Sequence, residues 1–244
     1  MAQGKIFDKS SRIAPFYSVF QPVVDIRTRK IIGYEALVRG CGKSCLPSDL
    51  YRRSYEDGLT LALNLECLNT AFRILPKLGK DQLLFVNVEP MTFSRCFGPG
   101  READFLILNQ IAEYRKQVVF ELTEGMKIRD FDHVRRGVRY LKKLGCRFAI
   151  DDVVGVGIKL LKILTMKPDF IKFGMALIRN IDRNVFQKNI ADQLMQLARK
   201  CGAEVIAEGI ERKKELDVMS EMGISYAQGY YFARPNKKLA KGLI

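Results

Sequence analysis

Apolar positions along the chain follow two alternating patterns. Short, nearly unbroken apolar runs occur at Tyr17 to Val24, Ile31 to Val38, Leu83 to Val88, Val118 to Leu122, Phe148 to Asp152, Phe170 to Phe173, Glu204 to Ala207 and Ala227 to Phe232. Their length and their β-branched or aromatic content are those of strands covered on both faces. Longer stretches between them place apolar residues at intervals of three and four: Leu61, Leu65, Leu68, Phe72 and Leu75 in one, Ile190, Leu194, Leu197 and Ala198 in another. That spacing predicts amphipathic helices. Gly145 and Gly202 stand just past the ends of two such patterns, where a left-handed cap is wanted. Strand and helix alternating over 244 residues predict an α/β fold, a (β/α)8 TIM-like barrel. The first two runs are separated only by a short turn around Arg27 to Lys30 and so form a hairpin, which makes one strand of the barrel antiparallel. No Pro-, Gly- or Ser-rich linker interrupts the pattern, so one barrel domain is expected over 16–244, preceded by an extension at 1–15.

Composition narrows the chemistry. The single histidine, His133, excludes Ser-His-Asp triads, HExxH zinc sites and His-clustered metals, and its position reads as a surface residue at a helix start. Cysteines 41, 45, 67, 96, 146 and 201 contain no CxxC pair and read as small core residues of a reducing compartment. No apolar run approaches the roughly 18 to 20 residues of a membrane span, and MAQGKIFDKSSR lacks the apolar stretch of a signal peptide, so a cytoplasmic protein with no membrane span is expected. Lys and Arg outnumber Asp and Glu by 41 to 27, an excess that suits an anionic partner. Its densest cluster, Arg135, Arg136, Arg139, Lys142 and Lys143, is interleaved with Val134, Val138 and Leu141 at helical spacing and reads as the solvated face of a helix. Without aromatic interleaving or zinc-finger spacing, nucleic acid is not the expected partner.

Polar residues interrupt the strand runs in a consistent place. Asn87 closes LLFVN, Glu121 closes VVFE, Asp151 and Asp152 close FAIDD, Lys172 lies in FIKFG, Glu208 closes VIAE and Gln228 opens QGYYF. In a barrel the C-terminal strand ends converge on one face, where barrel active sites are built. A single such residue would read as a cap for the following helix; this many, from different strands, predict a shared site. Carboxylates gathered around one lysine suit a hard divalent cation, and an all-oxygen donor set favours Mg²⁺ or Mn²⁺ over Zn²⁺. The adjacent pair Asp151 and Asp152 is the usual device for bridging two ions in phosphoryl chemistry.

These residues, with Glu35-Ala36-Leu37 in GYEALVRG, ELTE from Glu121 to Glu124, AEGIE from Glu208 to Glu211 and QGYYFARP ending at Pro235, resemble the EAL domain family in order from about Phe16 to Pro235. The resemblance implies a Mg²⁺- or Mn²⁺-dependent phosphodiesterase that opens cyclic di-GMP to linear pGpG. Carried over residue by residue, it implies that Glu35, Asn87, Glu121 and Asp151 ligate one ion, that Asp151 and Asp152 serve a second, and that Lys172 and Glu208 orient or deprotonate the attacking water. Gln21 and Arg39 would hold the dinucleotide, Glu211 and Gln228 would complete its pocket, and Glu124 would anchor the loop after the fifth strand. The family also implies a homodimer pairing near that loop.

This chain departs from the family pattern in three places. Where active relatives read DDFGTGYSS it has Asp151 to Lys159 as DDVVGVGIK, where they read KID it has Lys172-Phe173-Gly174, and the segment from Cys41 to Gly58 is atypical. Two functions therefore stand side by side: an enzyme of low turnover, and a cyclic di-GMP receptor or protein-interaction module that keeps the pocket without the catalysis.

Overall fold

The computed structural model describes residues 15–40, 47–98, 107–123, 128 and 130–240. Eight strands close a barrel in sequence order: β1 (Phe16–Asp25), β2 (Ile31–Gly40), β3 (Leu83–Asn87), β4 (Val118–Thr123), β5 (Arg147–Val153), β6 (Phe170–Phe173), β7 (Glu204–Ala207) and β8 (Tyr226–Ala227). β1 runs antiparallel to both β2 and β8, and every other neighbouring pair is parallel. The expected hairpin and its antiparallel strand are both present. Asp25 sets the hairpin turn, its carboxylate accepting from the Thr28 N–H at 2.7 Å while Arg29 takes a left-handed φ of 58°.

Around the barrel lie α1 (Pro47–Glu56), α2 (Thr60–Phe72), α3 (Pro90–Cys96), α4 (Phe131–Lys143), α5 (Ile158–Leu164), α6 (Met175–Ile178), α7 (Val185–Cys201) and α8 (Lys213–Glu221). α4 starts where Asp130 accepts from the backbone N–H of His133, whose exposed ring also contacts Asp130. Its basic residues face outward while Val134, Val138 and Leu141 are buried. Gly145 follows α4 at φ 95°, and Gly202 caps α7 at φ 69°, the left-handed geometry expected of them.

Two expectations need correction. The buried face of α2 is Leu63, Cys67, Leu68, Ala71 and Phe72, with Leu61 and Leu65 only half-buried and Leu75 in the 3₁₀ turn that follows. Leu68, Phe72 and Leu75 of the expected stripe are buried and Leu65 packs against the core, so the stripe is wider than the spacing implied, not displaced. The eighth strand is Tyr226–Ala227, not Ala227 to Phe232. After Gln228 the backbone leaves the sheet to pack on the segment following β7: Ile210 N–H donates to Gln228 O at 3.1 Å and Tyr231 N–H to Ile210 O at 3.0 Å. Gly229 permits that approach, since a Cβ there would lie 2.1 Å from Ile210 O.

Inside the barrel, residues alternate inward and outward with period two. Val23, Leu83, Phe85, Val119, Ala149, Phe170 and Ile206 form a closed apolar floor, with Phe85 packing edge-on against Phe170 at 5.4 Å. The next inward-facing position along each of these strands belongs to a polar residue. That second layer is the site.

The expected domain limits are bracketed only in part, because most of the 1–15 extension lies outside the described residues, as do Glu124, Cys41 and Cys45. Among the described residues no helix is long and apolar enough to cross a membrane.

Candidate active site

Two residues above the floor, the strands deliver Gln21 and Glu35, which are register partners across β1 and β2, then Asn87 and Glu121, register partners across β3 and β4. β5 adds Asp151, β6 adds Lys172, and Glu208 and Gln228 follow directly on β7 and β8. Lys172 is fully buried at the centre. Its Nζ lies 2.7 Å from Glu208, 2.9 Å from Glu121, 3.1 Å from Asp151 and 3.4 Å from Glu35.

A row of amides flanks this cluster. Gln21 donates to Ala233 O at 3.1 Å, and Gln228 donates to Gln21 Oε1 at 3.0 Å and to Glu35 Oε2 at 2.6 Å. Asn87 donates to Glu35 Oε1 at 3.1 Å. Glu35 is thus held from both oxygens, its rotamer fixed by amide donors and by Lys172. Eight of the expected site residues meet in one connected network: Gln21, Glu35, Asn87, Glu121, Asp151, Lys172, Glu208 and Gln228.

The other three stand at its rim. Arg39 and Glu211 line a cavity of about 450 Å³ together with Gln21, Glu35, Glu208 and Gln228. The Arg39 guanidinium donates to its neighbour's carbonyl, Val38 O, at 2.8 Å and has no ion pair among the described residues. Glu211 is paired with Arg179 at 2.9 Å. Asp152 sits on a bulge of β5 with a left-handed φ of 55°, outside the ion pairs of Lys172. Arg179, Met175 and Tyr230 also line the cavity and were not foreseen. Strand parity could not find them, because they follow the strands in loops and in the short α6. Thr123, whose hydroxyl reaches Asp151 Oδ2 at 3.5 Å, was findable as the next inward position after Glu121.

Crowding like charges in a dry layer has a predictable effect. Burial pushes the Glu121 carboxyl well above the carboxylate range; Lys172 opposes the shift, and Glu35, Asp151 and Glu208 reinforce it. Glu208 is raised for the same reasons, burial first. Burial alone would lower the Lys172 ammonium, but Asp151, Glu121, Glu208 and Glu35 together hold it well above its ordinary value, so it stays charged. Burial and Asp151 also raise Asp152.

Among the described residues Glu121 Oε2 is buried without a hydrogen-bond donor, and Glu121 Oε1 and Asp151 Oδ1 face only the Lys172 ammonium. Four carboxylates face one ammonium, an uncompensated negative charge that such a layer tolerates poorly. The donor set is oxygen throughout, so the residues present fit a hard divalent cation. Among the described residues no three acidic, His or Cys side chains are gathered as a ready-made cage; the carboxylates close on Lys172 instead.

Fold and site together define a (β/α)8-type barrel with a polyacidic centre at its C-terminal mouth. The chain belongs to the EAL domain family, whose model matches residues 9–235. It is 28% identical over 219 residues to the blue light- and temperature-regulated antirepressor BluF of Escherichia coli, covering 88% of this chain and 53% of that protein. It is 24% identical over 227 residues to the cyclic di-GMP phosphodiesterase PdeF of the same organism, covering 90% of this chain and 30% of PdeF. The chain thus spans about half or less of the length of these relatives. A standalone EAL protein of Vibrio cholerae, solved with cyclic di-GMP, is 29% identical and superposes with a TM-score of 0.77 over 96% of this chain and 98% of that one. BlrP1 of Klebsiella pneumoniae, solved with manganese and cyclic di-GMP, is 27% identical with a TM-score of 0.79 over 96% of this chain and 58% of that one.

Proposed function

We propose that this barrel is a divalent-cation-dependent phosphodiesterase that opens cyclic di-GMP to linear pGpG. The observation that carries the reading is the layer of Glu35, Glu121, Asp151 and Glu208 around the one ammonium of Lys172, with Glu121 Oε2 buried and without a donor among the described residues. Glu35, Asn87, Glu121 and Asp151 are the groups to hold a first Mg²⁺ or Mn²⁺, and Asp151 with Asp152 a second. Held there, such an ion would supply positive charge at the phosphoryl oxygens and would lower the pKa of a bound water without need of a histidine.

The chain's own residues do the rest. Glu208, raised by burial and with a small part of its side chain exposed, is the group assigned here to take a proton from the attacking water, and the Lys172 ammonium is the donor that would hold that water's oxygen. Arg39, with no carboxylate partner among the described residues, suits a phosphate of the dinucleotide, with Gln21, Gln228 and Glu211 completing the wall. The similarity to BluF, named an antirepressor, supports a second reading: slow or no turnover, with the pocket serving as a receptor. The observation favouring it is Gly174, which brings no carboxylate to the rim. Low turnover belongs to the proposal on the same ground.

The exposed Val154 and Val156 of the loop after β5, with Leu161 on α5, support a homodimer that pairs there. The proposed setting is the cytoplasm, a reducing compartment that suits the buried free thiols of Cys67, Cys96 and Cys146. Incubation with cyclic di-GMP and Mn²⁺, with and without excess EDTA, tests the reading by chromatography of the products. Linear pGpG that disappears with the chelator supports it; equal product in EDTA contradicts it.

A further inference from the structure

Arg179 and Glu211 reach the same cavity from two different loops, and one buried side chain fixes the backbone of both loops. Glu215, in the first turn of α8, is 2% exposed. Its Oε1 accepts from the Asn180 N–H at 3.0 Å, and its Oε2 from the Glu211 N–H at 3.0 Å and the Arg212 N–H at 3.1 Å. The Arg212 guanidinium adds donors to Oε1 at 2.9 and 3.1 Å and reaches Asn180 Oδ1 at 3.1 Å. Burial alone would raise the Glu215 carboxyl, but these donors, the Asn180 and Glu211 N–H groups foremost, hold it below its ordinary value, so it stays ionised. The end of α6, where Arg179 stands, and the turn after β7 that carries Glu208 and Glu211 are thereby tied to one anion.

On that mount the Arg179 guanidinium donates to Glu211 Oε1 at 2.9 Å. Gln187 of α7 holds the Arg179 backbone in turn, its amide donating to Ala176 O at 2.9 Å and to Arg179 O at 3.3 Å. An ionised carboxylate has about four lone-pair sites, so a single donor leaves most of its acceptor capacity open, and among the described residues no donor reaches Glu211 Oε2. Met175 and Tyr230, 46% and 45% exposed, give the same cavity its thioether and aromatic surface. Guanine suits this combination. Its Watson–Crick edge presents N1–H and the 2-amino group side by side, two donors for one carboxylate, and its faces pack on sulfur and aromatic carbon. Adenine offers an acceptor at N1, and hypoxanthine lacks the amino group.

We propose that Arg179 is a positioning residue for base recognition: its guanidinium holds the Glu211 carboxylate in one orientation at the rim, from which Glu211 accepts the N1–H and 2-amino donors of one guanine of cyclic di-GMP. This rests on the proposed function and deepens it by naming what selects the base. Arg179 touches neither base nor phosphate and acts through Glu211.

Calorimetric titration of the full chain in Ca²⁺ with cyclic di-GMP and with cyclic di-IMP, which differs only in lacking the 2-amino groups, tests this on the intact ligands. Wild type should prefer cyclic di-GMP about tenfold or more, the loss expected when a charged acceptor is deprived of a donor. Arg179→Met removes a half-exposed side chain and leaves the backbone hydrogen bonds of the loop in place. It and Glu211→Gln should each narrow the preference about threefold or more, and because both act on one contact the double variant should narrow it no further than the larger single effect. An Arg179 that met a phosphate directly, or only braced the loop, would on substitution weaken both ligands together and leave the preference standing; that result overturns the inference. A wild type without preference, a Glu211→Gln variant that keeps it, or a double variant whose losses add overturns it equally. In each of these cases binding of cyclic di-GMP by wild type spares the proposed function, whereas no binding of either ligand by wild type overturns both.

Discussion

Lys172→Met removes the ammonium at the centre of the acidic layer while keeping most of the side chain's volume. At the observed separations of 2.7 to 3.4 Å, each ammonium–carboxylate attraction is worth about 5–6 kcal/mol at an effective dielectric of about 20. Burying the ammonium and crowding the carboxylates offset most of that sum. The net cost of deleting one partner of a buried ion pair is about 3–5 kcal/mol. For a barrel of this size, with about 2–4 °C lost per kcal/mol, the midpoint should fall by roughly 6–20 °C. Differential scanning fluorimetry in EDTA measures it.

The pH dependence gives a second readout. Glu121 and Glu208 titrate above their ordinary value of 4.5 in the folded chain. The folded state therefore binds more protons than the unfolded one, and their contribution favours folding below about that value and is lost as pH rises through the raised ones. Without Lys172 both groups are raised further, so the stability deficit of the variant should grow from acid to neutral pH. Mn²⁺ should stabilise the variant more than wild type, because the ion takes over the missing charge. A midpoint within about 2 °C of wild type at neutral pH, which corresponds to less than about 1 kcal/mol, would refute the claim that Lys172 balances this layer.

Glu35→Gln should lower Mn²⁺-dependent hydrolysis about 10- to 100-fold or more and reduce cyclic di-GMP binding by much less, since Arg39 and Gln21 remain; calorimetry beside initial rates separates the two. Gln228→Leu leaves Gln21 and Glu35 each short of a buried donor, so unfolding by urea should show a loss of about 1–3 kcal/mol, and an unchanged midpoint would contradict the amide row. Burial pushes the Cys67 and Cys146 thiols up to about 12, so neither should react with iodoacetamide at mildly alkaline pH until the chain unfolds, as mass spectrometry of the labelled peptides can show. Ca²⁺ in place of Mn²⁺ should not support turnover, because its longer bonds and looser geometry misplace the reacting groups; equal rates with both ions would count against the assignment.

The barrel was legible because parallel strands buried on both faces leave unbroken apolar runs, and because only a hairpin fits the short turn at Arg27 to Lys30. The acidic layer was legible through parity: Phe85 to Asn87, Val119 to Glu121, Ala149 to Asp151, Phe170 to Lys172 and Ile206 to Glu208 are each a step of two along one strand. What parity does not encode was missed. The bulge that takes Asp152 out of alternation depends on pairing between two strands separated in sequence by a helix. The eighth strand was overextended because Gln228 to Phe232 is apolar enough for a strand, yet its backbone partner is Ile210 in a loop.

The most direct test of the central claim is the fate of cyclic di-GMP held in excess purified protein with Mn²⁺, followed to completion by ion-pair chromatography beside Glu35→Gln and an EDTA control. Conversion to linear pGpG by wild type, abolished by chelation and by the substitution, is the result expected of a cation-dependent phosphodiesterase. Quantitative recovery of intact cyclic di-GMP from a protein that binds it would contradict that function and leave the barrel a receptor.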